Sequence, residues 1–371
     1  MKLSYWEYKT WFSNVDFTVV GSGIVGLCCA LSLNKKYPKS NILVLERGLL
    51  PQGASTKNAG FSCFGSVSEM LSDLKRHSEE EVQELVKTRW DGIRLLRQVL
   101  GDEVLGYHEY GGHEVFLDKD HGLYEKCNQK LDYINELLKP VFGKCVFERK
   151  NNDFGFTGVK ECYLTHTLEG QMDTGSMMQG LLKLCSSNGI MVLNGMEVKN
   201  LSELGNKVAV SVNDVEFFTQ RTFVATNGFA SKLLPELNVK PARAQMLITE
   251  PISGLKVQGT FHLDEGYYYF RNIDNRILLG GGRNLDFKGE ETIEMEETHL
   301  IQNTLENLLK EVILPNQQFE IAQRWSGIMG VGNQKKPILK QVSPNISCGV
   351  RLGGMGVAIG SIIGRDLAAF A

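Results

Sequence analysis

The chain has 371 residues, of which 42% are hydrophobic and 22% charged, and its formal net charge is −3. That length predicts about two domains, and the composition is ordinary for a globular protein. The slightly acidic balance removes the electrostatic case for nucleic acid or an anionic membrane as partner.

The N-terminal segment, Ser4-Tyr5-Trp6-Glu7-Tyr8, is aromatic and polar, with no apolar core of a signal peptide. No later stretch approaches the ~18 apolar residues of a membrane span. Eight cysteines are scattered with no C-x-x-C pair, which predicts free thiols in a reducing cytosol rather than disulfides or zinc. A cytoplasmic location is expected.

A β-branched run, Thr18-Val19-Val20, leads into Gly21-Ser22-Gly23-Ile24-Val25-Gly26 and then an apolar helical pattern. This is the G-x-G-x-x-G turn in its proper setting. Gly21 turns the chain out of a strand, Gly23 lets backbone approach a pyrophosphate, and Gly26 lets the helix lie close on the sheet. The helix N-terminus would face the phosphates with its partial positive charge. A second strand, Ile42-Leu43-Val44-Leu45, ends in Glu46-Arg47. The Glu46 carboxylate is placed to take the hydroxyls of a ribose. Strand, glycines, helix, strand and acid in that order predict a dinucleotide site.

A glycine and polar loop, Gly53 to Phe61, comes next. Ser78 with Glu81 forms a capping box, and Val82, Leu85, Val86, Ile93, Leu96 and Leu100 recur at helical spacing until Gly101. Residues 105–170 read as short strands, at Glu114–Leu117 and Phe154–Leu164, around a helix near 123–138. Helical pattern returns at 174–188. Buried strands follow, one of them running from Thr222 into Thr226-Asn227-Gly228. Strands dominate Arg243–Arg283, a helix is predicted over 292–313, and a glycine-rich turn precedes a short last helix. The alternation predicts an α/β protein of two interleaved domains. A Rossmann-like nucleotide domain (14–90, 165–235 and 326–371) would embrace an antiparallel-sheet α+β substrate domain (91–164 and 236–325).

These segments, from Ser4-Tyr5-Trp6 onward, resemble the D-amino-acid oxidase/glycine oxidase superfamily of FAD-dependent oxidoreductases. They are most similar to its γ-glutamylputrescine oxidase-like members. The likeness runs through Gly53-Ala54-Ser55-Thr56-Lys57-Asn58-Ala59-Gly60, Glu169 to Asp173, Val224 to Gly228, Tyr267 to Arg271, Arg276 to Gly282, Arg324 to Gly327, and Gly353-Gly354-Met355-Gly356-Val357-Ala358. It implies non-covalent FAD, because Cys348 does not match the attachment motif of relatives with covalent flavin.

By that resemblance, Ser55, Thr56, Asn58, Ala59, Gly60 and Phe61 run beside the pyrophosphate and isoalloxazine, and the Val198 backbone meets the adenine. Thr226, Asn227 and Gly228 close the cofactor's strand end. Gly327 and the Gly353–Val357 turn approach the flavin's pyrimidine end, where N–H donors favour hydride acceptance. Tyr267, Tyr269, Arg271 and Met355 are the expected substrate contacts. Tyr267, Tyr269 and Arg271 share one strand face. Gly354 stands where glycine oxidase has its carboxylate-gripping arginine. Arg271 with Tyr267 is therefore expected to hold a carboxylate further from the reacting carbon. His113 is expected to be structural.

The implied activity is oxidation of a small-molecule amine or amino-acid-like substrate, with oxygen or another electron acceptor. No residue is nominated as catalytic, since hydride transfer to flavin needs positioning more than an acid–base group. A 2-hydroxy acid substrate, or nucleotide binding without turnover, are the alternatives.

Overall fold

The computed structural model describes residues 2–371. Two eight-stranded sheets organise them. The first runs in the order Ile338–Ser343, Ile346–Val350, Val215–Val224, Val15–Val20, Ile42–Leu45, Met191–Leu193. Four of the five pairings in that order are parallel, the first is antiparallel, and the Val198–Leu204 and Lys207–Val212 strands extend the sheet antiparallel. Alternation decides the two faces. Phe17, Val19, Ile42 and Val44 enter one core with the helices Ile24–Lys36, Glu79–Leu100, Thr174–Ser187 and Gly356–Leu367. Leu43, Leu45, Val224 and Cys348 enter the other, under the antiparallel strands. Burial of both faces explains why these strands are continuous apolar runs.

The second sheet runs Ile321–Val331, Lys240–Thr249, Arg276–Gly281, Tyr268–Ile273, Thr260–Leu263, Gly112–Glu114, Cys162–His166, Phe147–Asn151. One pairing in it is parallel, that of Thr260–Leu263 with Gly112–Glu114. Among the described residues no helix is long and apolar enough to cross a membrane, and all eight cysteines are free thiols.

Several expected boundaries move. The Glu79–Leu100 helix crosses position 90 unbroken, with its Ser78–Glu81 capping box and Gly101 at its end. The Cys162–His166 strand runs past 164. Pairing with Lys240–Thr249 carries the second sheet to Val331 rather than 325. The helix expected from 292 begins at His299. Residues before it form a turn and an irregular loop, pinned where Glu290 pairs with Arg243 at 2.7 Å and the Thr298 N–H donates to the Gln245 side chain. The strand expected over Phe154–Leu164 begins only at Cys162, and that at Glu114–Leu117 is instead Gly112–Glu114. His113 is buried, with Nδ1 2.8 Å from Thr165 Oγ1, and burial lowers it to about 4.

Candidate active site

The site starts at the first turn of the first sheet. Gly21 has φ +104°, a left-handed conformation open to glycine. A Cβ on Gly26 would lie 1.9 Å from the Gly21 carbonyl oxygen, so only glycine lets the helix pack this close to the turn. Glu46 is 6% exposed. Its Oε2 accepts the Ser22 N–H at 3.1 Å and the Ser22 hydroxyl at 2.8 Å, and its Oε1 accepts the Gly48 N–H at 3.0 Å. Each oxygen keeps acceptor capacity for a further hydroxyl.

A cavity of about 770 Å³ opens from this turn and reaches the second sheet. Gly21, Gly23, Ile24, Val25, Glu46 and Arg47 line it. So do Ser55, Asn58, Ala59, Phe61, Val198, Thr226, Asn227, Gly327 and the Gly353–Val357 turn. Arg47 lies over the Phe229 ring, 3.7 Å from its centre, at the Val198 end.

Five expected cofactor contacts do not line the cavity, and each has a structural duty in the protein. The Ser22 hydroxyl serves Glu46, and Gly26 packs on Gly21. The Thr56 hydroxyl donates to the carbonyls of Pro51 and Gly53. The Gly60 N–H donates to Asn58 Oδ1, and Gly228 lies against the Met329 backbone. Ser55 fastens its loop to the glycine helix, because its Oγ accepts the Ile24 N–H at 3.0 Å.

The residues fit a flavin dinucleotide. The glycines leave a cradle that side chains would fill. Thr226 presents a buried hydroxyl with no partner to the same cavity, and such a group needs a ligand or water to satisfy it.

At the second-sheet end the cavity meets Tyr267, Tyr269, His262, Cys63, Arg89 and Met355. Tyr269 is edge-on to Phe61, and burial pushes its hydroxyl up to about 12. Tyr267 is 38% exposed and packs edge-on against Phe287, which marks the mouth. Arg271 corrects the sequence expectation. It is 3% exposed and lies outside the cavity, because its guanidinium turns behind Gly60, 3.2 Å from where a Cβ there would stand. Arg351 lines the cavity, but its guanidinium donates to the carbonyls of Lys336 and Asn238.

Sequence reasoning missed three groups. His262, from Thr260–Leu263, is buried against Phe61 and makes no hydrogen bond; Nε2 stands 3.9 Å from Glu169 Oε2. Burial lowers His262, and it pushes the Glu169 carboxyl up to about 8. Arg89, 4% exposed, sits on the buried stripe Val82, Val86, Arg89, Ile93, Leu96 of its helix. A cation at a core-facing position of an apolar stripe was the visible signal.

A parallel-sheet dinucleotide site opening onto an antiparallel-sheet wall is the architecture of a two-domain flavoenzyme. The profile of the family described as DAO, FAD dependent oxidoreductase, matches residues 16–370, and the chain belongs to that family. Its cofactor is FAD. The probable oxidoreductase OrdL of Haemophilus influenzae is 22% identical over 383 residues, covering 97% of this chain and 83% of that protein. Two solved structures share the fold. Glycine oxidase from Geobacillus kaustophilus has a TM-score of 0.76 at 16% identity, covering 95% of this chain and 94% of the other. Iminodiacetate oxidase from Chelativorans sp. BNC1 has a TM-score of 0.76 at 17% identity, with the same coverages.

Proposed function

We propose that this FAD-dependent oxidoreductase oxidises the C–N bond of a small amine or amino-acid-like substrate. One observation carries the reading: the cofactor cavity continues to a wall where Phe61, Tyr269, His262 and Met355 stand beside the flavin-side turn. The names of the two solved relatives, an oxidase of glycine and one of iminodiacetate, support an amine as substrate. FAD, when bound, would supply the two-electron sink for oxidation of the carbon beside nitrogen, and water would hydrolyse the imine product.

The chain's own residues position and desolvate. Glu46 would take ribose hydroxyls, and the Gly21–Val25 backbone would face the pyrophosphate. Arg47 and Val198 would lie at the adenine end. Gly327 and the turn opening the Gly356–Leu367 helix would put N–H donors and positive potential at the flavin's pyrimidine edge. Tyr269 and Met355 would shape the substrate's place over the ring, and Tyr267 would guard its entry. Hydride leaves a neutral amine, and burial of the substrate against this wall would favour that neutral form.

Anaerobic mixing of the FAD-loaded protein with glycine, iminodiacetate and glycolate tests this reading. Bleaching of the yellow absorbance by an amine is expected. Bleaching by glycolate alone would move the assignment to 2-hydroxy acids, and bleaching by none of a wider amine panel would remove it. Reoxidation by air or by a dye then identifies the electron acceptor.

A further inference from the structure

Arg89 is a buried cation without a counterion. Its Nη1 donates to the Phe64 carbonyl at 2.6 Å, and the guanidinium makes no other hydrogen bond; Nε is buried with no partner. No carboxylate lies within 4.0 Å of it among the described residues. Two acids stand farther off: Glu69, which lines the same cavity, and Glu169. Glu69 accepts the Ser66 N–H in a capping box, and Glu169 accepts the Phe64 N–H. Burial keeps Glu169 largely protonated at neutral pH. An unpaired guanidinium out of water costs several kcal/mol, and this one faces the ligand cavity.

On the amine-oxidation reading above, we propose that Arg89 anchors the substrate's carboxylate, at the inner end of the cavity beside the flavin. Its depth follows from its neighbours. Phe64, whose carbonyl it holds, follows Cys63, and Cys63 Sγ is 3.9 Å from Sδ of Met355 in the flavin-side turn. One helical turn beyond Arg89, a Cβ on Gly92 would stand 2.0 Å from the Ala358 carbonyl oxygen, so the two helices touch there. The substrate class is therefore an amine with its carboxylate close to the reacting carbon. This replaces the remote carboxylate on Arg271 expected from sequence. Guanidinium is suited to the task, since its fork matches a carboxylate bidentately.

The test titrates FAD-loaded protein with acetate and with its neutral isostere acetamide, following the flavin absorption spectrum. A saturable change with acetate and none with acetamide is expected. Arg89→Met should weaken acetate about tenfold or more, with FAD affinity and melting temperature near wild type, and Arg89→Lys should fall between. Acetate affinity unchanged in Arg89→Met, or no acetate response in wild type, would overturn the proposal. So would a loss of FAD affinity with acetate binding intact, which would assign the guanidinium to the flavin. If Arg89→Met does not fold, Arg89→Lys decides: unchanged acetate affinity overturns the anchor, and weakened affinity supports it. Arg89-dependent acetate binding in a protein that no amine bleaches would support the anchor while removing the amine reading.

Discussion

Glu46 holds Ser22 twice, by its backbone N–H at 3.1 Å and its hydroxyl at 2.8 Å. The acid at the end of the second strand thus shapes the glycine turn as well as facing the cavity. Glu46→Ala should weaken FAD binding by about 1–3 kcal/mol, the range for losing charge-assisted hydrogen bonds. Turnover of the FAD-saturated variant should stay near normal, because this end is remote from the redox ring. Titrating apoprotein with FAD and following fluorescence measures both affinities; equal values would show that Glu46 does not touch the cofactor.

Two glycines should respond to alanine in opposite ways. Gly26→Ala puts a methyl 1.9 Å from the Gly21 carbonyl oxygen, so the apoprotein itself should be strongly destabilised. A Cβ on Gly354 meets nothing within 4 Å of protein. Gly354→Ala should keep the apoprotein's melting temperature and lose FAD affinity, since the methyl enters space assigned to the cofactor. Normal FAD binding by Gly354→Ala would show that the turn stands clear of the flavin.

Two buried groups give stability a pH dependence of opposite sign. His166, packed among Phe64, Phe142 and Phe147, is lowered by burial to about 3. The unfolded chain takes up its proton below about 6.5, so stability falls as pH drops from there towards 3. Glu169 is raised by burial to about 8, so its protonated form favours the folded state. That contribution is full below about 4.5 and is lost as pH rises through 8. Glu169→Gln keeps an oxygen for the Phe64 N–H and should flatten the decline between about pH 6.5 and 8. Urea midpoints of the FAD-loaded protein across pH read this directly, and an unaltered slope would clear Glu169 of the effect.

FAD should be released by acid precipitation, with the yellow colour in the supernatant. Among the described residues Cys63 is the cysteine on the cavity wall, and burial holds its thiol well above the ordinary range. It is therefore a poor nucleophile. Cys348 lies buried in a central strand, outside the cavity. Colour retained in the pellet would show a covalent bond.

Much of the cofactor end was legible because backbone constraints leave marks on sequence. Gly21, Gly26 and Glu46 are dictated by a turn, a close approach and a strand end, all of them local. The substrate end was less so. Tyr269 and Arg271 do share a strand face, whereas Tyr267 sits in the turn before that strand, and periodicity cannot say that Phe61 and Gly60 come between Arg271 and the cavity. His262 and Glu169 are ninety-three residues apart in the chain and 3.9 Å apart in space, a relation only the sheet order creates. Arg89 was visible as a charge on an apolar stripe, yet the stripe itself was read without it. The helix expected from 292 fails for a similar reason, since the Arg243–Glu290 pair is long-range.

The first sheet seats its earliest strand, Val15–Val20, beside Val215–Val224, which in turn pairs with Ile346–Val350. A growing chain therefore carries its glycine turn out of the ribosome long before the strand and helix that finish the pocket exist. Until then the two apolar faces of that strand lack their cover, and apolar surface exposed in this way is prone to misassembly. Cofactor supply can act on finished chains alone. A message cut short before Ile346 would yield a product lacking the strand and helix that finish the pocket, however intact its fingerprint, and in flavin-starved cells the full-length protein, without its stabilising ligand, would be more open to proteolysis.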